Sequence, residues 1–167
     1  KNESVELIEK TIELFEQLQD DICKTLEKLD GVESFSSERF EYPGAGYSIP
    51  KLLSGNGKIE KAAVNLTSSA GKKLSNAATR SKPHLSGKPF KANSISVIVH
   101  PYNPFIPATH MNLRFFAIGE ESEEYWHFGG GYDLTPCYGF RDDAINWHRA
   151  ASQAAGNFYN DMKRACD

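Results

Sequence analysis

The amino-acid sequence predicts a mixed helical and stranded domain, with a helix at each end and antiparallel strands between. Three observations carry this. Apolar residues recur at helical spacing over residues 3–30 and again over 142–165. Residues 94–100 and 110–118 alternate with the period of a strand. A stiff, proline-rich loop joins those two strands, which predicts an antiparallel pair. The chain has 167 residues, enough for one core and too short for two comfortable ones.

In the first helix, 3–30, Val5, Ile8, Ile12, Phe15, Ile22, Leu26 and Leu29 recur at alternating spacings of three and four. Gln19 alone interrupts them. Leu7, Leu14 and Leu18 widen the stripe, which predicts a helix docked on a core rather than a two-stranded coiled coil. Gly31 after Asp30 marks its end. Residues 41–57 are rich in turn formers, Pro43-Gly44-Ala45-Gly46 and then Gly55-Asn56-Gly57. The second cluster predicts a hairpin turn before Ile59.

Strands are predicted at 60–67 and 94–100. On the latter, Ile95, Val97 and Val99 share one face, and Ser96, Ile98 and His100 the other. Pro101, Pro104 and Pro107 stiffen the loop that follows. On the strand 110–118, His110, Asn112, Arg114 and Phe116 share a face, opposite Leu113, Phe115 and Ala117. Tyr125 to Phe128 reads as a short aromatic strand that ends at Gly129-Gly130-Gly131. In the last helix, 142–165, Ala144, Trp147, His148, Ala151, Ala155, Phe158 and Met162 hold helical spacing, with Asp142 or Asp143 near the N-terminus.

Hydrophobic residues at 40% and charged residues at 25% are the balance of a globular protein. A net charge of −3 argues against a nucleic-acid partner held by global charge. No apolar run is long enough for a transmembrane helix. Residues 1–10 show neither a signal-peptide core nor an Arg-rich transit pattern, so the expected location is cytoplasmic. Cys23, Cys137 and Cys166 are odd in number with no C-x-x-C spacing, which favours a reducing compartment over a disulfide framework or zinc knuckle. Charge is uneven: residues 1–30 sum to −5 and residues 51–91 to +8, and residues 120–133 hold five acids and no base. The basic stretch is either a landing surface for a polyanion or a solvated, lysine-rich region.

Five polar groups, Ser96, His100, His110, Asn112 and Arg114, converge if their strand faces lie on one side of a sheet. Burying that many costs several kcal/mol unless they find partners or a ligand. Arg114 calls for a carboxylate, from an internal ion pair or from a substrate. The triple glycine has neither P-loop nor dinucleotide spacing. It marks a close backbone approach or an unusual turn. Asp133 either caps that turn through Thr135 or presents its carboxylate into the space the glycines leave. His100, His110 and His148 are the candidate metal ligands, without an H-E-x-x-H or H-x-H spacing.

Residues 97–114, V-I-V-H-P-Y-N-P-F-I-P-A-T-H-M-N-L-R, then F-G-G-G-Y-D-L-T-P and D-D-A-I-N-W-H, resemble oxygen-dependent coproporphyrinogen III oxidases. Upstream, P-G-A-G-Y-S and I-E-K-A-A-V-N-L-T resemble that family's Gly-rich turn and following strand. Ala45 and His127 depart from the pattern, where the family has a glycine and prefers tryptophan. The resemblance implies an α+β fold, a large antiparallel β-sheet flanked by α-helices. It also implies that residues 1–167 are one incomplete domain, the N-terminal half of the oxidase, inactive alone and with its sheet and active-site strands within about 40–140. A block like R-G-x-G-G-I-F-F-D-D, which the family carries later, is absent.

The activity implied is oxygen-dependent oxidative decarboxylation of two propionates of coproporphyrinogen III to vinyl groups, giving protoporphyrinogen IX in haem biosynthesis. Molecular oxygen is the co-substrate and no organic cofactor is implied. By the same resemblance His110, Asp133 and Arg114 are catalytic. Ser96, Asn112, Leu113, Arg114 and Asp133 bind substrate. His100, His110 and His148 match positions that some bacterial members use for a divalent cation. The full-length protein is implied to be a homodimer, cytoplasmic, or in the mitochondrial intermembrane space or a plastid if a presequence precedes it. Two alternatives stand beside this reading: a metal-dependent hydrolase built on the three histidines, and a non-catalytic tetrapyrrole-binding domain.

Overall fold

A computed structural model describes residues 3–74, 82–119 and 125–156, with side chains from residue 6 onward. The first helix, α1, runs Glu3–Asp30, the bounds its periodicity predicts. The strands follow as β1 Ser36–Ser37, β2 Phe40–Tyr42, β3 Gly46–Ser54, β4 Ile59–Gly71, β5 Phe90–Pro101, β6 Ala108–Ile118 and β7 Tyr125–Thr135. Helix α2, Arg141–Ala155, ends the described chain. The part of the predicted last helix beyond Gly156 lies outside the described residues.

All seven strands among the described residues form one antiparallel sheet in the order β1-β3-β4-β5-β6-β7, with β2 also pairing β3. The α+β class and the large antiparallel sheet are therefore as expected. The β5–β6 pair is in register from Phe90↔Ile118 to Val99↔Thr109.

Two stretches differ from the sequence reading. The turn-rich region 41–57 contains a nine-residue strand, β3, and only its two glycine clusters turn. Pro50 hides this strand in the sequence. Its missing N–H falls at the gap between the short outer strands β1 and β2, so no ladder bond on that side is lost. The aromatic strand does not stop at Phe128. It runs through the three glycines to Thr135, because an apolar alternation Trp126, Phe128, Tyr132, Leu134 continues across them.

Helix α1 covers one face of the sheet. Its seam of Ile12, Phe15, Leu18, Ile22, Cys23 and Leu26 packs on Val64, Leu66, Ile95 and Val97. Leu14 and Leu29, counted in the stripe, are exposed. Gln19, the apparent interruption, is 2% exposed and belongs to the seam. Its amide Nε2 donates to the carbonyls of Ile49 and Val64 at 2.7 and 2.8 Å, so a polar residue is buried with its donor satisfied. Asn93 on β5 likewise donates to Ile8 O at 2.9 Å.

The C-terminus of α1 is tied to the β3–β4 turn. Asp30 Oδ1 accepts from Ile59 N at 2.8 Å and Oδ2 from Glu33 N at 2.9 Å. These backbone donors, Ile59 foremost, hold its carboxyl below the usual range. Glu33 accepts from Asn56 N at 3.1 Å. Gly55 and Gly57 flank Asn56 because the two carboxylates occupy the space a Cβ needs: it would lie 2.0 Å from Glu33 Oε1 at Gly55 and 2.0 Å from Asp30 Oδ2 at Gly57.

Candidate active site

Directly opposed residues of an antiparallel ladder share a face. Ser96 opposes Asn112, Ser94 opposes Arg114, and Ile98 opposes His110, so Ser96, His100, His110, Asn112 and Arg114 lie on one side of the sheet. It is the side away from α1. The β6–β7 register adds Asp133 opposite His110, Gly131 opposite Asn112 and Gly129 opposite Arg114. Asn65 opposes Ser96 from β4 and extends the polar row; its Oδ1 is buried with no partner among the described residues.

Leu113 stands apart from its two neighbours. Period-two alternation puts its side chain on the α1 side with Phe115, so only Asn112 and Arg114 of that triplet present side chains to this face.

Asp133 does not cap a turn. It sits inside β7, and His110 Nδ1 lies 2.7 Å from its Oδ1. Thr135 Oγ1 donates to the same oxygen at 3.1 Å. The bond from His110 holds the Asp133 carboxyl below the usual carboxylate range, with the Thr135 hydroxyl adding to it. An ionised carboxylate only accepts, so the proton between the two residues resides on His110 Nδ1. That fixes the tautomer and leaves Nε2 as the free ring nitrogen. Asp133 Oδ2 takes no partner among the described residues.

The triple glycine gives each position a separate reason. A Cβ at Gly130 would meet the Asn112 carbonyl at 2.4 Å, so the close approach is that of the neighbouring strand. A Cβ at Gly129 would lie 3.8 Å from Arg114 Nη2, an ordinary contact. A Cβ at Gly131 would meet nothing within 4 Å. On this face the glycines leave a floor without side chains beside Asn112 and Arg114. Ser96, Ile98, His110, Asn112, Gly131 and Asp133 line a cavity of about 500 Å³ there. A second hollow of about 440 Å³ continues over Leu52, Ala63, Ile98 and His100.

The three candidate metal ligands do not converge. The His100 and His110 rings stand edge to face with centroids 5.8 Å apart. His148, on α2, lines another cavity, which it shares with Asp133, Tyr132 and Trp147. Among the described residues no group of three or more His, Cys, Asp or Glu side chains forms a metal-holding set. These residues as placed do not fit a three-histidine centre.

Three lysines of the basic stretch take separate partners. Lys51 pairs with Asp20 on α1, and Lys61 stands beside Glu60 at 3.8 Å. Lys82 lies over the Tyr125 ring. No helix among the described residues is long and apolar enough to cross a membrane.

Sequence reasoning missed the pairing of His110 with Asp133. The signal was present in the apolar alternation through the glycines, which carries β7 far enough to set the two residues opposite each other.

A family model for coproporphyrinogen III oxidase matches residues 10–167. Oxygen-dependent coproporphyrinogen-III oxidases of three Coxiella burnetii strains, Dugway 5J108-111, RSA 331 (Henzerling II) and RSA 493 (Nine Mile phase I), are each 41% identical over 155 residues. The match covers 90% of this chain and 50% of each relative, so the chain spans about half the length of the curated relatives it matches. With the signature strands paired as one face and the family model spanning nearly the whole sequence, the chain belongs to the coproporphyrinogen III oxidase family.

Proposed function

We propose that this chain supplies the polar sheet face on which coproporphyrinogen III is oxidatively decarboxylated to protoporphyrinogen IX with molecular oxygen. The observation that carries the reading is the His110–Asp133 pair, set on the same open face as Arg114 over a glycine floor.

Each conversion turns –CH₂–CH₂–COO⁻ into –CH=CH₂ and carbon dioxide. Two electrons and the β-hydrogen leave the propionate, and oxygen is the acceptor of the electrons. Asp133 Oδ2 accepts from the pyrrole N–H groups that the reduced macrocycle turns inward. His110 Nε2 takes a proton in the same site, and Asp133 stabilises the imidazolium that forms. Arg114 holds a propionate carboxylate by its fork of donors. Ser96 and Asn112 bind between them. No step passes through a metal or an organic cofactor. The full-length protein works as a homodimer in the cytoplasm.

The test is incubation of the full-length protein with coproporphyrinogen III, aerobically and anaerobically, followed by chromatography of the oxidised products. Protoporphyrin is expected only with oxygen. Turnover that is equal without oxygen, or none with it, ends this reading.

A further inference from the structure

At the end of the open face remote from His110, the sheet is closed by an apolar plug. Leu74, Leu85 and Ile118 form its buried centre, with Phe90, Phe116 and Tyr125 packed around them. Leu85 belongs to a single 3-10 turn, Pro83–Leu85. Lys82 comes just before that turn, and its Nζ lies 3.5 Å from the centroid of the Tyr125 ring. The Tyr125 ring in turn lies 5.4 Å from the His127 ring, which is also 5.7 Å from Phe116.

Arg114 reaches the same imidazole from the other side, along Gly129. A Cβ at Gly129 would lie 3.8 Å from Arg114 Nη2 and 4.0 Å from His127 Cδ2. Lys82 and Arg114 therefore flank His127. Burial first, then the charges of Arg114 and Lys82, hold the His127 pKa below its usual value. The ring is an uncharged spacer between two cations at neutral pH. No carboxylate pairs with either cation among the described residues. Two cations beside one uncharged ring, with no carboxylate of the described residues on either, add to the positive potential at this end of the face.

We propose that Lys82 is a second carboxylate-binding residue of this face, acting beside Arg114 on the acidic arms at one end of a macrocyclic polycarboxylate. The proposal rests on the tetrapyrrole reading above and adds a residue to it. Tyr125 holds one side of the ammonium by its ring face, and the remaining N–H donors stay available to a ligand. Arg114 lies four residues along β6 from His110, roughly 13 Å at strand rise. A macrocycle with extended propionates covers that span, so it can be anchored at Lys82 and Arg114 while another arm meets His110 and Asp133.

The experiment is a fluorescence titration of the full-length protein with coproporphyrin III, the air-stable tetra-acid, and with its uncharged tetramethyl ester in the same detergent. Wild type, Lys82→Met and Lys82→Arg are compared at low and high salt, with a thermal melt of each. Lys82→Met is expected to weaken the tetra-acid about tenfold, with a shallower salt dependence, and to leave the ester unchanged. Lys82→Arg is expected to restore binding. Tetra-acid binding by Lys82→Met equal to wild type overturns the proposal. So does an equal loss for acid and ester, which makes Lys82 a packing residue on Tyr125. Failure of the wild type to bind the tetra-acid overturns the tetrapyrrole reading itself, and the proposal with it.

Discussion

His110 and Asp133 oppose each other across β6 and β7, with Nδ1 2.7 Å from Oδ1, on a face that also carries Arg114. The pair directs the free His110 nitrogen and the free Asp133 oxygen to the same side of the sheet. It follows that one substitution at Asp133 affects both groups.

Asp133→Asn keeps the size and removes the charge. On the proposed function the amide turns donors toward pyrrole N–H groups, and it no longer fixes the His110 tautomer. Oxygen-dependent product formation is expected to fall roughly tenfold to a hundredfold or more. The melting temperature should move little, since Asp133 is exposed. Near-normal turnover beside an unchanged melt would leave Asp133 outside the chemistry.

Gly130→Ala and Gly131→Ala, one residue apart, should behave differently. At Gly130 the added methyl runs into the Asn112 carbonyl, and strands β6 and β7 must part. A loss of about 1–3 kcal/mol is expected in denaturant unfolding. At Gly131 the methyl enters open space, so stability is kept and only ligand approach suffers. Equal destabilisation by both would contradict this placement of the strand.

The turn at Gly55-Asn56-Gly57 offers a second ordered pair. Asp30 is fixed by several backbone donors and cannot retreat from a methyl at Gly57. Glu33 contacts the turn through the end of a longer, more adaptable side chain. Gly57→Ala is expected to cost about 1–3 kcal/mol and Gly55→Ala less. Urea midpoints of the two variants decide the order.

Acid should loosen the Asp30 tie. Its folded-state pKa lies below that of the unfolded chain. The stabilisation is therefore complete above the ordinary carboxylate range and is lost as pH falls through the lowered folded value. Asp30→Asn is expected to be less stable than wild type at pH 7, with the gap closing toward pH 2. Thermal melts across that range measure it. A gap that widens in acid would reverse the sign.

Burial pushes the Cys23 thiol up to about 11, while Cys137 is exposed. At pH 8 on the order of one Cys23 in a thousand is thiolate. Iodoacetamide followed by peptide mass spectrometry should mark Cys137 in the native protein, and Cys23 only after denaturation. Comparable native labelling of both would place Cys23 outside the core.

Much of this was legible in the residues. The α1 stripe, the face shared by Ser96, His110, Asn112 and Arg114, and the paired strands all follow from two periodicities. The length of β7 was not, because three glycines mid-strand look like punctuation; one of them is set by a carbonyl on another strand, which no local pattern shows. Pro50 misled for a similar reason, since its tolerance depends on a gap between β1 and β2. Gln19 looked like a flaw in the apolar seam until the Ile49 and Val64 carbonyls were placed opposite it. Lys82 meets Tyr125 only through the fold, and its segment showed nothing beyond an excess of lysine.

The bond from Asn93 to the Ile8 carbonyl has a meaning in time as well as in space. It joins residues 85 apart in the chain. At ~5–20 residues per second of synthesis, the two ends leave the ribosome on the order of 10 s apart. Helix α1 is 28 residues long and carries a Glu6–Lys10 pair, long enough to form by itself. It therefore emerges first, with Phe15, Cys23 and Gln19 uncovered, and must wait for β4 and β5. During that interval its apolar seam stays open to solvent, and it is covered only when β4 and β5 arrive.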